Sequence, residues 1–330
     1  MLDIDLEFAT ASAPATVSNV AVGFDILGFS LTGMSDEVTV RRVEEPGVRI
    51  VKIEGGQNLP EDPEENTATA GLVAMARARK LSFGLEVTIA KGVPQQSGLG
   101  GSAASAVAAV VAASAVMDTP LSLPERFHYA LLGEALAAGS PHGDNIAPAM
   151  LGGLILVRSM DPFDVMRIPV PHSMGAVVIH PDLSVDVRRA RNLLSGEIDL
   201  GDFVAQSANL AGFIGGCFRD DRALIGRSLQ DLVIEPQRSH LIPGFAAVKA
   251  AALGAGALGC SISGAGPAVF AIHDLDVDPE VIKEAMIKAF ADADVEATGL
   301  ISPINGMGGH VIERGPRVKK KSTKASPESA

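Results

Sequence analysis

The sequence predicts an α+β protein of two domains, and three observations carry that expectation. Short β-branched segments alternate with longer apolar helical ones, and no internal repeat is present. Hydrophobic residues make up 47% of the 330 positions and charged residues 20%, which supplies packed cores and rules out global disorder. A stretch rich in Pro and Asp, Met160–Pro171, has turn chemistry and little periodicity. It sets expected domains at 1–160 and 161–313, with a polar tail at 314–330 that is expected to be disordered.

Glu37–Val43 and Val48–Ile53 read as strands around a Pro46-Gly47 turn, and Asn66 as the cap of a helix over Thr67–Leu81. Leu85, Val87 and Ile89 alternate with polar residues as a half-buried strand. An Ala-rich helix starts at Ser102 and stops at Asp118-Thr119-Pro120. Ser122-Leu123-Pro124-Glu125 is a capping box for the next helix, which closes at Gly139. A loop, Ser140–Ala149, is expected before an apolar strand at Gly153–Val157. In the second half, strands are expected at Gly175–Ile179, Leu258–Ile262, Ala268–Ile272 and Val295–Ile301. Helices are expected near Asp186–Leu194, Asp199–Phe213, Arg222–Leu229, Phe245–Leu253 and Pro279–Ala291.

Composition narrows the function classes. With 27 Lys+Arg against 39 Asp+Glu, the net charge of −12 excludes a fold-wide basic surface for nucleic acid. Aromatic residues are only 4%, so the cores must be aliphatic. Two isolated cysteines form no disulfide framework and suit a reducing cytoplasm. The acidic start, Met1–Glu7, is unlike a signal peptide, and the longest apolar run, Ala103–Met117, is shorter than the ~20 residues of a membrane span. No membrane association and a cytoplasmic location are therefore expected.

The strongest chemical signal is Pro94-Gln95-Gln96-Ser97-Gly98-Leu99-Gly100-Gly101-Ser102-Ala103-Ala104, which joins a strand to a helix N-terminus. Glycines let backbone approach a ligand, and the first free N–H groups of the helix favour an anion: this is the physical recipe for a phosphate cradle, with a purely structural turn as the plainer reading of the motif taken alone. It is not a Walker A loop, since no Gly-Lys-Ser/Thr follows. Gly254–Gly259 matches GxGxxG, but a helix precedes it and a strand follows, the reverse of a dinucleotide fingerprint. Ser263-Gly264-Ala265-Gly266-Pro267 is a second close-approach turn, placed to wall the same cleft. Pro14–Asp25 interleaves small residues with Asn19 and Asp25; the carboxylate is either a cap or a receptor for a cation. His142 and Asp144 invite a dyad, but no nucleophile motif accompanies them and a polar loop is the plainer reading. Zinc is disfavoured, as no His pair has ligand spacing; magnesium needs only one or two protein oxygens, and Glu134, late on its helix, is a candidate. Arg188, Arg189, Arg191 and Arg238 read first as solvated surface residues, although a small carboxylate would need such a guanidinium fork.

Three of these motifs, PATVSNVAVGFD, PQQSGLGGSAA and SGAGP, stand in the order found in the GHMP kinase superfamily, which the chain resembles over about residues 8–312. Within it the chain is most similar to the homoserine kinases, on Asn19 and Asp25, on HGDNIAPAMLGG at His142–Gly153, on Ala190-Arg191 before Leu193-Leu194, and on Glu235-Pro236-Gln237-Arg238. The resemblance implies an N-terminal domain like the second domain of ribosomal protein S5 and a ferredoxin-like C-terminal domain, with the ligands between them. It implies ATP phosphates on Pro94–Ala104, Asn66 at the adenine pocket, and Mg²⁺ on Ser102 and Glu134. Asn19, Asp25, His142, Asn145, Arg191 and Arg238 would surround homoserine. The implied reaction is phosphorylation of the homoserine hydroxyl in threonine biosynthesis, by a possible homodimer. Asn145 stands where several relatives carry a catalytic aspartate, which implies catalysis by positioning and charge neutralisation without a strong base. A mevalonate-type kinase and a catalytically silent ligand sensor are the alternatives. Two departures matter: Gly101 replaces a common serine, leaving the metal role to Ser102, and Val187 replaces a common threonine, removing a hydrogen bond worth about 0.5–1.5 kcal/mol.

Overall fold

A computed structural model describes residues 6–139 and 141–316. The first unit comprises β1 (Leu6–Ser18), β2 (Leu27–Val43), β3 (Gly47–Glu54), α1 (Ala70–Ala78) and β4 (Gly84–Ala90), then α2 (Gly101–Ala115), α3 (Leu123–Ala138) and α4 (Gly143–Leu151), then the hairpin β5 (Leu154–Ser159) and β6 (Asp164–Ile168). The second unit comprises β7 (Gly175–Pro181), α5 (Val187–Asn192), α6 (Leu200–Arg219), α7 (Arg222–Ser228), α8 (Glu235–Arg238), α9 (Phe245–Gly254), β8 (Gly259–Ile262), β9 (Val269–His273), α10 (Pro279–Ala291) and β10 (Ala297–Pro303). The chain then returns as β11 (His310–Pro316).

The first sheet runs β11-β1-β2-β4-β3, with the β5–β6 hairpin added on β2. Along β1, Ala9, Ala11, Ala13, Ala15 and Val17 alternate inward at strand period, and every one is fully buried. Small residues are needed there because α2 lies across the strand, and α2 is itself buried from Ala103 to Ser114. The Ala-rich run is thus the central helix of a core, and among the described residues no helix is long and apolar enough to cross a membrane.

The second sheet has the order β10-β7-β9-β8 on a βαββαβ chain path, the split βαβ of ferredoxin-like domains. Its two faces serve two cores. Val177, Ile179, Cys260, Ile262, Val269 and Ala271 pack under α9 and α10. Ala176, Val178, Phe270 and Ile272 face the first unit, where Phe270 meets Phe29 edge-on at 6.0 Å. This shared core locks the two units together along the cleft.

Four expectations need correction. The boundary at 160/161 falls inside the β5–β6 hairpin, which stays with the first sheet, and β11 also returns to it. Arg314–Pro316, assigned to the tail, are therefore ordered in β11, while 317–330 lie outside the described residues. The loop expected at Ser140–Ala149 contains α4, with Pro148 inside it. Asn66 does not cap α1: its Oδ1 accepts from Ala68 N at 2.9 Å in a turn before the helix, which begins at Ala70. The Ser122–Glu125 capping box and the Gly139 left-handed end of α3 match the reading from sequence. Cys217 and Cys260 are buried free thiols, both pushed up to about 12 by burial.

Candidate active site

Between the units lies a cavity of about 440 Å³. Its floor on one side is the turn before α2. Gly100 caps α2 in the left-handed region at φ 64°, with no side chain on the free N–H groups of the first turn. The loop is fixed from beneath. Lys91 pairs with the fully buried Asp36, and its Nζ donates to Gly101 O at 2.8 Å and Ser105 Oγ at 2.9 Å. Asp36 Oδ1 accepts from Gly92 N and Val93 N, both at 2.9 Å. From the other unit, Ser263 Oγ donates to Gly98 O at 2.7 Å, and a Cβ on Gly98 would stand 2.6 Å from Ser263 O. The two glycine turns therefore touch, and Gly264 and Ala265 help wall the cavity.

Asn145, on α4, is held by the Thr16 hydroxyl, which donates to its Oδ1 at 2.7 Å. That contact orients the amide so that Nδ2, a donor only, serves the cavity. Gly100 packs against the same pair: a Cβ there would lie 2.1 Å from Thr16 Oγ1 and 2.8 Å from Asn145 Oδ1. Gly100→Ala is accordingly expected to destabilise the fold by at least about 1–2 kcal/mol from the left-handed φ alone, and to lower turnover because Asn145 must shift. Thermal denaturation and kcat on the same preparation check it; a variant unchanged in both would remove this packing from the site.

The opposite side is built by the turn after β1. Asn19, Val20 and Ala21 take φ values of 67°, 45° and 58°, a left-handed run that is costly for the β-branched Val20. Asn19 Nδ2 donates to Gly264 O at 2.9 Å, and Asp25 N donates to Asn19 Oδ1 at 3.1 Å. Asp25 is thereby presented to α5, where Arg191 grips it with two bonds of 3.0 and 2.6 Å. The hydrogen bonds that Arg191 donates to Asp25 raise the Arg191 pKa. Arg238, at the end of α8, is 4% exposed and donates to Ala190 O at 3.2 Å and Gly264 O at 3.3 Å. Burial lowers its pKa, and the Arg191 charge adds to that. His142, preceding α4, has Nε2 4.0 Å from Asp25 Oδ1.

Two buried carboxyls complete the cavity. Glu134, near the end of α3, has Oε2 buried without a hydrogen-bond partner. Burial pushes it up to about 7, against the opposing effects of the Ser102 hydroxyl and the Lys91 charge. Asp144, in the first turn of α4, is also raised to about 7, by burial and by the charges of Asp25 and Glu134, and its Oδ1 is likewise unpartnered. Buried anionic oxygens left open in one cavity are receptors for cations.

The cavity gathers most of the residues singled out from sequence: the loop at Pro94–Gly98 and Gly100–Ser102, then Asn19, Asp25, Glu134, His142, Asn145, Arg191 and Arg238. Leu99, Ala103 and Ala104 do not line it; their side chains are core, so these positions can offer a ligand only backbone. Asn66 lies in an adjoining cavity of about 220 Å³, which shares Leu59, Thr67 and Lys91 with the main one. Sequence reasoning missed Asp144 as a site residue and missed Lys91 altogether. A lysine at the end of a strand leading into a glycine turn is its local signal, and its burial is set by tertiary contacts that the sequence does not show.

Residues 66–153 match the GHMP kinases N terminal domain, and residues 213–292 match the GHMP kinases C terminal family. A homoserine kinase of Xanthomonas campestris pv. campestris (strain B100) is 47% identical over 301 residues, 91% of this chain and 92% of that protein. One from Xylella fastidiosa (strain M12) is 46% identical over 305 residues, 92% of this chain and 94% of that protein. The crystal structure of homoserine kinase from Cytophaga hutchinsonii ATCC 33406 superposes with a TM-score of 0.87 at 43% identity, covering 93% of this chain and 98% of that one. The matches cover more than nine-tenths of the chain and so both units, and on them the chain belongs to the homoserine kinase family of the GHMP kinase superfamily.

Proposed function

We propose that the cavity transfers the terminal phosphoryl group of ATP to the side-chain hydroxyl of L-homoserine, giving O-phosphohomoserine and ADP for threonine biosynthesis. The observation that carries this reading is the pairing, in one cavity, of an uncapped helix N-terminus with a zwitterion-shaped set of charges. The free N–H groups of α2 and the loop backbone receive the triphosphate. The adjoining cavity at Asn66, Thr67 and Leu59 takes the adenine. Arg191 and Arg238 receive the substrate carboxylate. Asp25 and Asp144 receive its ammonium, and Asp144 is the better placed of the two because Asp25 already serves Arg191.

Ser102 and Glu134 would hold Mg²⁺, and the fit is chemical: a hydroxyl beside a buried carboxylate with one open oxygen is a hard-oxygen donor set. When bound, the ion neutralises charge on the phosphates. The chain's own residues orient the acceptor. Asn145 donates from Nδ2 and cannot accept a proton, so the hydroxyl proton leaves late, to phosphate or water. A loose phosphoryl-transfer transition state asks little of the nucleophile and makes a strong base unnecessary.

An ADP-release assay across homoserine, mevalonate and galactose tests the reading; turnover confined to homoserine supports it, and equal turnover of mevalonate, which has no ammonium, overturns it. His142 shapes the homoserine pocket beside Asp25. His142→Gln is therefore expected to raise the KM for homoserine more than it lowers kcat. A large fall in kcat at saturating homoserine, with loss of an acid limb near neutral pH, would instead make His142 the base.

A further inference from the structure

Arg191 and Arg238 come from different elements, α5 and α8, yet both bring a guanidinium to the same side of the cavity. Two like charges so placed oppose each other, and the effect of Arg191 on Arg238 has that sign, with the Asp25 charge acting on Arg238 in the opposite and larger sense. Arg191 has Asp25 as a counter-ion. Arg238 is held by two backbone carbonyls, which fix its Nε and Nη1 but bring no negative charge. Asp25 acts on both arginines, and one aromatic group faces both as well. The ring of Phe24 lies 5.4 Å from Arg191 Cζ and 5.2 Å from Arg238 Cζ, each within cation–π range. Phe24 is half-buried and sits directly before Asp25 in the turn after β1.

We propose that Phe24 is a positioning residue, an aromatic platform whose π-face holds both guanidiniums at one spacing for the carboxylate of the substrate. The proposal rests on the reading of these arginines as the carboxylate receptor. The negative face of the ring adds to the Asp25 carboxylate in offsetting the repulsion of the arginine pair when no substrate is present, so the pair is already arranged when homoserine arrives. An aliphatic side chain of similar bulk fills the same space without that electrostatic face. Phe24 does not itself line the cavity and reaches it through the two arginines, so its loss acts on carboxylate binding and not on transfer.

The test compares Phe24→Leu, Phe24→Met and Phe24→Tyr in the full chain, with Arg191→Ala beside them. Phe24→Leu and Phe24→Met are expected to raise the KM for homoserine roughly 5- to 30-fold, the loss of two cation–π contacts. The kcat at saturating homoserine and the KM for ATP should stay within about twofold. Phe24→Tyr, which keeps the π-face, should restore the homoserine KM. Equal values for the Leu, Met and Tyr variants, or parallel losses for ATP and homoserine, would overturn the platform and leave Phe24 as packing. Should Phe24→Leu fail to fold, the Met and Tyr variants carry the same comparison. An unchanged homoserine KM in Arg191→Ala would instead overturn the reading of the carboxylate site on which the platform depends.

Discussion

Replacing Arg238 by Ala is expected to weaken homoserine binding by about 2–5 kcal/mol, roughly 30- to 5,000-fold, and to leave the affinity for ATP nearly unchanged. The size follows from burial. Arg238 is 4% exposed, and the hydrogen bonds that hold it run to backbone carbonyls and not to a carboxylate. Its charge is therefore available to a ligand, and removing it leaves the substrate carboxylate half-paired in the cavity. Arg191→Ala should cost less, because Asp25 already holds that guanidinium and would be released toward the substrate ammonium. The ordering is the sharp part of the expectation. Isothermal titration with homoserine and, separately, with a non-hydrolysable ATP analogue measures both terms. Equal losses for the two ligands would return Arg238 to the fold, as the tie between α5 and the Ser263–Pro267 turn.

What sequence made legible in this site was chemistry that only a few residue types can perform. A backbone cradle for phosphate requires glycine at positive φ, and Gly98 and Gly100 adopt it at 77° and 64°. In a chain of net charge −12 the run Arg188, Arg189 and Arg191 stands out, and the resemblance on Ala190-Arg191 and Glu235-Pro236-Gln237-Arg238 assigns Arg191 and Arg238 to the substrate. The fold class and most elements followed from hydrophobic period and from capping chemistry such as Ser122 and Glu125.

What stayed hidden depended on tertiary packing. Gly-Asp-Asn at 143–145 has turn composition, and nothing local says that it opens a helix. The helix forms because α4 packs on β1, β2 and α2, closely enough that a Cβ on Gly28 would lie 1.9 Å from Asp144 O. That packing, absent from any local window, is what buries Asp144 and makes it a site residue. β11 was missed for the opposite reason: most of its residues are exposed, so it carries no alternating apolar signal, and its place is set by pairing with β1 from the far end of the chain. Lys91 ends an ordinary amphipathic strand in sequence, and its role appears only where Asp36, Ser105 and Gly101 converge on its Nζ.

The paired buried carboxyls make the second large expectation, one that reads the site without a turnover assay. Glu134 and Asp144 both titrate at about 7 in the folded chain, against ordinary values of 4.5 and 3.8. Between about pH 4 and 7 the native state holds protons that the unfolded chain has released, so stability falls as pH rises across that window and is lowest above it. The ligand-free protein is thus expected to melt at a higher temperature near pH 5 than near pH 8, by several degrees on account of these two groups. Glu134→Gln and Asp144→Asn should each flatten the slope, since neither amide can ionise. Cations should do the same from the other direction. At pH 8, Mg²⁺ with ADP should raise the melting temperature of the wild type and of Asp144→Asn but fail to do so in Glu134→Gln, whereas homoserine should stabilise Glu134→Gln and fail with Asp144→Asn. Turnover of Glu134→Gln should fall by roughly 10²–10³-fold, the scale for losing one preorganised electrostatic contact, with a raised Mg²⁺ requirement. Melting curves that overlay the wild type at every pH, or an unaltered Mg²⁺ dependence, would mean that these carboxyls find partners in the free protein and are not the cation receptors of the site.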